Sequence, residues 1–166
     1  KDTSALVSAL SSDNQFWRLT AQRLLIEGRH KKAQPALREL MKSQEVGAIH
    51  ALWTIEGLGQ LNEADLRVAL LSSNPALRRN GIRALDKTTA ADLLFEAGVI
   101  NDPDLQTRLA AFVTLSRIAT TDALKNTISK LLLDPINQKD EWLLAALQAA
   151  SKKHGVNSNV AVKPGP

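Results

Sequence analysis

Residues 12–25, with the sequence SDNQFWRLTAQRLL, decide the fold, because their pattern returns at 72–85 as SSNPALRRNGIRAL and at 102–115 as DPDLQTRLAAFVTL. In each stretch a turn rich in Asp, Asn, Ser or Pro precedes an arginine, then a small residue, then a large apolar residue. Apolar residues spaced three and four apart indicate helices, and strands have no comparable support. A recurrence every thirty residues is typical of stacked supersecondary units.

Four positions of the thirty-residue repeat support this interpretation, and we call the residues that share one such position a column. A small residue followed four positions later by a large apolar one lets two helices approach closely and fills the space beyond their contact. Asn or Asp after a turn suits the N-cap of the next helix. The columns are large apolar (Leu10, Leu40, Leu70, Ile100), polar (Asn14, Gln44, Asn74, Asp104), small (Ala21, Ala51, Gly81, Ala111) and again large apolar (Leu25, Ile55, Leu85, Leu115).

We therefore predict that each repeat forms a helix A, a short turn and a longer helix B. Five such hairpins in succession predict an all-α superhelical solenoid. Gly28 and Gly59 are predicted as the left-handed residues after helix ends, and Thr89 and Thr121 as N-caps. The segment starting at Pro135 lengthens the last turn. The predicted hairpins span 3–28, 33–59, 63–87, 90–119 and 121–154, so that the solenoid covers 1–154 and an extended tail covers 155–166.

Composition sets broad limits on function. With 166 residues and 44% hydrophobic residues the chain can bury a substantial core. Its 21 Lys and Arg against 17 Asp and Glu permit an anionic partner without requiring one. The absence of cysteine excludes disulfides, thiolate metal sites and a cysteine nucleophile. No run approaches the length of a membrane-spanning helix, and we interpret the chain, which starts at Lys1 without an apolar leader, as an internal segment of a longer protein.

The helix pairs, with an arginine early in helix B and a small residue three positions later, resemble HEAT and bilin-lyase-type HEAT repeats, which belong to the armadillo-like solenoids. Arg18 with Ala21, Arg78 with Gly81 and Arg108 with Ala111 match this pattern, whereas Ala48 departs from it at the arginine position. The resemblance implies a surface for binding other proteins or neighbouring domains.

Two segments, FWRLTAQRLL at 16–25 and HALWTIEGLG at 50–59, resemble the HEAT region of large bacterial membrane-bound dehydrogenase-like proteins. That resemblance implies a parent protein with a sorbosone-dehydrogenase-like propeller before the helical region and a cytochrome c domain after it. It also implies export, with a periplasmic location in bacteria.

Chemistry within the chain is not indicated. His30, His50 and His154 fall in three different hairpins without metal-ligand spacing, so we expect no metal site. No nucleophile elbow, phosphate-binding loop or haem-attachment motif occurs, and the carboxylates are scattered. We therefore expect a non-enzymatic segment that holds no cofactor.

The arginine column can be interpreted in two ways. Evenly spaced cations can follow a phosphate backbone. Alternatively, each arginine bridges to the neighbouring repeat's turn and satisfies its polar groups, and we favour this structural ladder. Its predicted members are Arg18, Arg78 and Arg108 with the turn residues Asn14, Asn74 and Asp104.

A second stripe follows the polar side of the B helices and is the candidate concave binding surface. Residues three and four apart share a helix face, so Arg23, Trp53 and Arg83 are predicted to form a row across three repeats. A tryptophan between two arginines suits a binding hot spot, although Trp53 packed between hairpins remains an equal alternative. The predicted stripe consists of Arg23, His50, Trp53, Arg83, Lys87 and Arg117.

Three further features receive simple interpretations. Trp17 and Trp142 near the turns are predicted to pack inside. The basic segment 29–32, Arg-His-Lys-Lys, is predicted as an exposed loop that can meet an acidic partner.

Two functions follow from these observations. The first is a non-catalytic scaffold that binds a protein partner or neighbouring domains of its own chain. The second is a nucleic-acid-binding solenoid similar to HEAT-like DNA glycosylases. Glu27 and Val113, which share helix faces with Arg23 and Arg117, and the small net charge count against the second. The oligomeric state is left open.

Overall fold

The computed structural model describes residues 2–43, 45–86 and 90–157. Within these residues the chain forms eleven α-helices and two short 3-10 helices and no β-strand, which confirms the predicted all-α fold of helical pairs. None of these helices has the length and apolar character needed to cross a bilayer. The chain divides into two compact units, Lys1–Leu85 and Asp86–Pro166, and each is described by itself.

The first unit contains three helix pairs. Each pair joins a shorter helix to a longer one through a short turn, and α2, α4 and α6 pack side by side. Contacts such as Gln22 with His50 and Trp53 with Asn80 join residues of successive B helices that lie 28 and 27 positions apart in the chain. The pairs are α1 (Thr3–Ala9) with α2 (Gln15–Glu27), α3 (Gln34–Met41) with α4 (Val46–Gly57), and α5 (Glu63–Leu70) with α6 (Pro75–Ala84).

The second unit repeats this plan with one addition. Its B helices, α8 and α11, pack against each other, and α11 also packs on α9. The segment predicted to lengthen the last turn forms a short helix, α10, which begins at a proline and contacts both α9 and α11. The helices are α7 (Ala90–Glu96), α8 (Leu105–Leu115), α9 (Asp122–Leu133), α10 (Pro135–Lys139) and α11 (Glu141–His154).

The small column is buried throughout and at Gly81 lies at a close helix contact. Ala21, Ala51, Gly81 and Ala111 are all buried. A Cβ added at Gly81 would lie 2.9 Å from the Cβ of Ala69 on α5, so this contact leaves no room for an alanine without movement. Leu85 is only half-buried, because α6 ends at Ala84 and the backbone at Leu85 is extended.

The polar column caps the B helices. Asn14 and Asn74 each accept a 2.9 Å hydrogen bond from the backbone N–H two residues later, and Asp104 accepts one of 2.8 Å from Thr107. Thr121 caps α9 in the same way. The predicted positions Gln44, Thr89 and Lys87, and the tail from 158 onward, lie outside the described residues.

The prediction for Gly28 is wrong. Gly59 follows α4 with the expected left-handed φ of 66°, but Gly28 keeps a right-handed φ of −75° and the left-handed residue after α2 is Arg29, at φ 50°. Gly28 is a glycine for another reason. A Cβ there would lie 2.5 Å from the ring of His30 and 2.8 Å from the Leu24 carbonyl oxygen.

Candidate functional site

Every arginine of the column holds the turn of its own hairpin, a contact that the predicted ladder between neighbouring repeats did not include. Each arginine donates to backbone carbonyls of the turn in its own hairpin: Arg18 to Ser12 O at 2.6 Å and Asp13 O at 3.0 Å, and Arg78 to Ser72 O at 2.8 Å and Ser73 O at 3.2 Å. The reason is distance along the chain, since an arginine four residues after the N-cap reaches back over its own turn. These guanidinium groups are engaged in holding turns.

In the second unit Arg108 also bridges to the turn of the following hairpin. Arg108 donates through Nε to the Asp102 carbonyl at 3.1 Å, and its Nη1 donates to Asn137 Oδ1 at 2.9 Å. Nη1 also lies 3.7 Å from a carboxylate oxygen of Asp134. Asn137, on α10, is fully buried and donates in turn to the Leu131 carbonyl.

The turns share a further residue that the sequence interpretation did not single out. Two positions before each N-cap, Ser12, Ser72 or Asp102 accepts a hydrogen bond from the N-cap backbone N–H. Their positions differ by sixty and by thirty residues, multiples of the repeat, so the same column comparison could have found them. In the α3–α4 hairpin, where Ala48 replaces the arginine, the N-cap is Glu45 and makes no side-chain capping bond.

His50, a member of the predicted stripe, joins α2 to α4. Its Nε2 accepts a hydrogen bond from Arg18 Nε at 3.2 Å, so the ring proton is on Nδ1 and donates to Gln22 Oε1 at 2.8 Å. Burial, followed by the charge of Arg18, lowers the pKa of His50. The neutral ring therefore serves a structural bond between helices.

Trp53 is also engaged between hairpins. The indole is half-buried, and its Nε1 donates to Asn80 Oδ1 on α6 at 2.9 Å. Asn80 is oriented by its own bond to the Ala76 carbonyl. The packed alternative describes Trp53 better than an open hot spot, because its only polar donor is already satisfied.

The remaining described members of the stripe, Arg23, Arg83 and Arg117, are charged and exposed. Arg23 lies 4.0 Å from Glu27 on the same helix, with both side chains about two-thirds exposed. Arg83 and Arg117 are exposed, and Lys87 lies outside the described residues. The structure thus separates the stripe into bonded members, His50 and Trp53, and solvated arginines. Among the described residues no three histidines or carboxylates lie close enough together to hold a metal ion.

The tryptophans predicted to pack inside are exposed instead. Trp17 is 55% exposed and Trp142 is 68% exposed, because both follow N-caps in the first turn of a B helix, where the side chain projects beyond the hairpin. Phe16 packs edge-on against Trp17 with ring centroids 5.2 Å apart and is itself 64% exposed.

Exposed large apolar side chains share one location in each unit, the turn between helix A and helix B. We call these residues the apolar turn residues. They are Phe16, Trp17, Val46 and Leu71 in the first unit and Leu105, Leu133, Ile136 and Trp142 in the second. Only Leu19 and Val113 among the exposed large apolar side chains of the described residues lie elsewhere, so the ends of the hairpins differ sharply in polarity.

A groove between α3 and α5 was also not predicted. It measures about 650 Å³, and apolar residues such as Pro35, Met41 and Val68 line it beside a charged pair. Arg38 donates two hydrogen bonds, of 2.8 and 3.0 Å, to the buried carboxylate of Asp65, which also completes a capping box with Asn62. The bond with Asp65 raises the pKa of Arg38.

The geometry therefore offers two kinds of exposed surface, the apolar turn residues of each unit and the solvated cations, while the polar residues between the B helices are engaged with one another. Comparison of the chain with models of protein families, with curated proteins and with solved structures gave no match.

Proposed function

We propose that this chain is a non-catalytic scaffold segment that binds a protein partner, or neighbouring domains of its own chain, through the apolar turn residues. One observation carries the proposal: large apolar side chains of the described residues are exposed at the turns within hairpins and not in the connections between hairpins. Water solvates such side chains poorly, and clustered exposed apolar groups are typical of interaction sites.

Phe16 and Trp17 support a protein partner in particular. They offer two rigid aromatic rings in contact, and aromatic side chains bury a large area at a small cost in conformational entropy. The neighbouring N-cap, Asn14, is held by the bond to Phe16 N–H, and Arg18 fixes the turn before it. The pair is therefore presented from an ordered helix start.

A photocrosslinking experiment tests the proposal. A photoreactive phenylalanine analogue is placed at position 17 or 142 of the full chain, expressed in the source organism. Matched controls carry it at Glu63 or Lys153, which are exposed at the opposite ends of their hairpins. We expect discrete protein adducts from 17 or 142 and none from 63 or 153. Equal labelling from all four positions, or no adduct from the turns, would reject the apolar turn residues as the binding surface.

The nucleic-acid alternative has less support. Arg18, Arg78 and Arg108, the evenly spaced cations that could follow a phosphate backbone, donate to carbonyls of their own turns. Binding to random duplex DNA measured by fluorescence anisotropy at about 50 mM salt tests it, because phosphate contacts make affinity fall steeply with salt. We expect no binding, and a steep salt dependence would favour the alternative.

The resemblance to dehydrogenase-like proteins supports a longer, exported parent in which the scaffold joins a propeller to a cytochrome c domain, with any redox cofactor held outside this segment. The sequence of the complete gene product tests this part directly. A propeller before the segment and a Cys-x-x-Cys-His motif after it are expected, and their absence from a complete gene product would remove the dehydrogenase-like parent while leaving the binding surface unaffected.

A further inference from the structure

The helices α2 and α4 end in the same way but with different residues. In each, the backbone N–H two residues beyond the C-cap donates to the carbonyl five positions back, His30 to Leu25 and Gln60 to Ile55, both at 3.0 Å. The residue between is left-handed: Gly59 with φ 66° after α4 and Arg29 with φ 50° after α2. Among the described residues, Arg29 alone has a positive φ without being a glycine.

The arginine occupies a position where glycine is the ordinary choice. A side chain with a Cβ is strained in the left-handed region, whereas glycine is not. Positions 29 and 59 also correspond in the thirty-residue repeat, so the chain itself shows the unstrained solution. Glycine at position 28 is explained by the ring of His30, which a Cβ there would meet, but this contact does not explain why position 29 is an arginine. Backbone strain at a non-glycine residue is an observation from which a functional role can be inferred.

Arg29 is one of the residues that line a small pocket. Two cationic residues, Arg29 and Lys31, line a cavity of about 250 Å³ together with Ile26, Gly57 and Leu58. No carboxylate is among these lining residues. Within the part of the chain that the structure describes, neither cation makes an ion pair or a side-chain hydrogen bond, although both are exposed. His30 lies between them in sequence but is bonded to Thr3 at 2.9 Å.

We propose that this pocket binds an anionic oxygen group, a carboxylate or a phosphate, held by the guanidinium of Arg29 and the ammonium of Lys31. A planar guanidinium can donate two parallel hydrogen bonds to such a group, and an ammonium adds a third. The apolar walls, Ile26 and Leu58, favour an anion attached to an aliphatic segment, as in an acidic peptide. The inference does not depend on the proposed function, since a free anion would occupy the same pocket.

A purely structural role of Arg29 predicts a different outcome. Its charge lies after the C-terminus of α2, where a cation is favoured by the exposed carbonyls. If that interaction explained the arginine, Arg29→Gly would lower the Tm. If binding explains it, Arg29→Gly relieves the left-handed strain and raises the Tm while removing a ligand contact. The two readouts therefore move in opposite directions.

The test is an NMR titration of the full chain with two probes, inorganic phosphate and the capped peptide acetyl-Leu-Glu-Leu-Glu-amide. Backbone amide shifts of Arg29, Lys31 and Leu58 report on the pocket. Arg29→Gly and Lys31→Ala are compared with Lys32→Ala, which removes an equal, exposed charge next to the pocket lining. We expect saturable shifts that weaken about tenfold or more in the first two variants and change less than about twofold in the third, tenfold being about 1.4 kcal/mol.

The two probes distinguish the sources of the anion. Tighter binding of the peptide identifies an acidic protein segment, and equal or tighter binding of phosphate identifies a free anion; either result supports the pocket. Absence of shifts with both probes would overturn the proposal. Equal losses in Lys31→Ala and Lys32→Ala would also overturn it, because a diffuse basic surface would then explain the binding. A lower Tm for Arg29→Gly than for the unaltered chain would overturn the argument from backbone strain.

Discussion

Arg18 in the first unit and Arg108 in the second occupy the same column of the repeat, yet their surroundings differ. Arg18 is half-buried and donates to its own turn and to His50 on the next B helix. Arg108 is only 5% exposed, and its guanidinium contacts the turn of the following hairpin through Asn137 and Asp134. The difference arises from α10, the five-residue helix at 135–139, which places a buried amide against Arg108. An insertion in one hairpin thus changes the role of a residue in the preceding hairpin.

The largest predicted effect comes from the buried member of this pair. Arg108→Ala removes the partner of the buried Asn137 amide and of the Asp102 carbonyl, so we expect a loss of about 3 kcal/mol in the free energy of unfolding. Arg18→Ala, the matched variant in the first unit, should cost only about 1 kcal/mol because water can replace its bonds. Urea denaturation measures both. Equal losses would show that burial by α10 does not distinguish the two arginines.

Overpacking at the small column is expected to affect both units alike. Ala111→Leu and Ala51→Leu each insert a branched side chain at a fully buried contact, and each should lower the free energy of unfolding by about 2 kcal/mol. Ala145→Leu, on the exposed face of α11, is the control and should change stability by less than about 0.5 kcal/mol. If thermal unfolding of the buried variants matches that of the control, the column does not mark the close helix contacts.

A pH effect is expected from the first unit. Because the folded-state pKa of His50 is lowered from 6.5, the unfolded chain binds a proton more readily than the folded chain. The stability linked to His50 is therefore complete above its unfolded pKa and is lost as pH falls from there towards the lowered pKa. Urea midpoints between about pH 7.5 and 5.5, a range in which carboxylates contribute little, should decrease with acidity. His50→Gln should reduce this slope, and an unchanged slope would contradict the assignment.

The smallest effect on stability is predicted for the exposed tryptophans. Trp17→Ser and Trp142→Ser, one in each unit, should leave the free energy of unfolding within about 0.5 kcal/mol, since neither side chain is buried. Trp53→Ser should cost more, because its indole is half-buried and bonded to Asn80. Chemical denaturation checks the order. A large loss in the free energy of unfolding for Trp17→Ser or Trp142→Ser would mean that these side chains stabilise their units, which would contradict their assignment to a binding surface.

The local interactions within each repeat could be predicted from the sequence. The N-caps Asn14, Asn74 and Asp104 depend on hydrogen bonds to residues two or three positions away, so the residue type and its place after a turn suffice to predict them. The small column is also readable, because the recurrence of Ala or Gly reflects one steric requirement repeated in every pair.

The candidate site could be predicted less well, because the exposure and bonding of its residues depend on which residues of other hairpins lie near them. The sequence pattern places Trp17, Trp53 and Trp142 on helices but does not say which of them finds a neighbour. Trp53 meets Asn80 from the next hairpin, whereas Trp17 and Trp142 project beyond the ends of theirs. Likewise, the arginines contact their own turns, and what they meet beyond those turns depends on the neighbouring hairpin: His50 for Arg18 and the buried amide of Asn137 for Arg108.

By itself, the sequence determined the helical class, the period, the N-caps Asn14, Asn74 and Asp104, and the buried small residues, because these follow from hydrogen bonds and steric limits within one repeat. The tertiary structure decided which side chains remain available for binding. His50 and Trp53 are hydrogen-bonded between helices, whereas the apolar turn residues are exposed. Arg29 has a left-handed backbone conformation and lines the same pocket as Lys31. The physical reason is that availability depends on burial and on partners about thirty residues away, and no local pattern encodes the position of those partners in space.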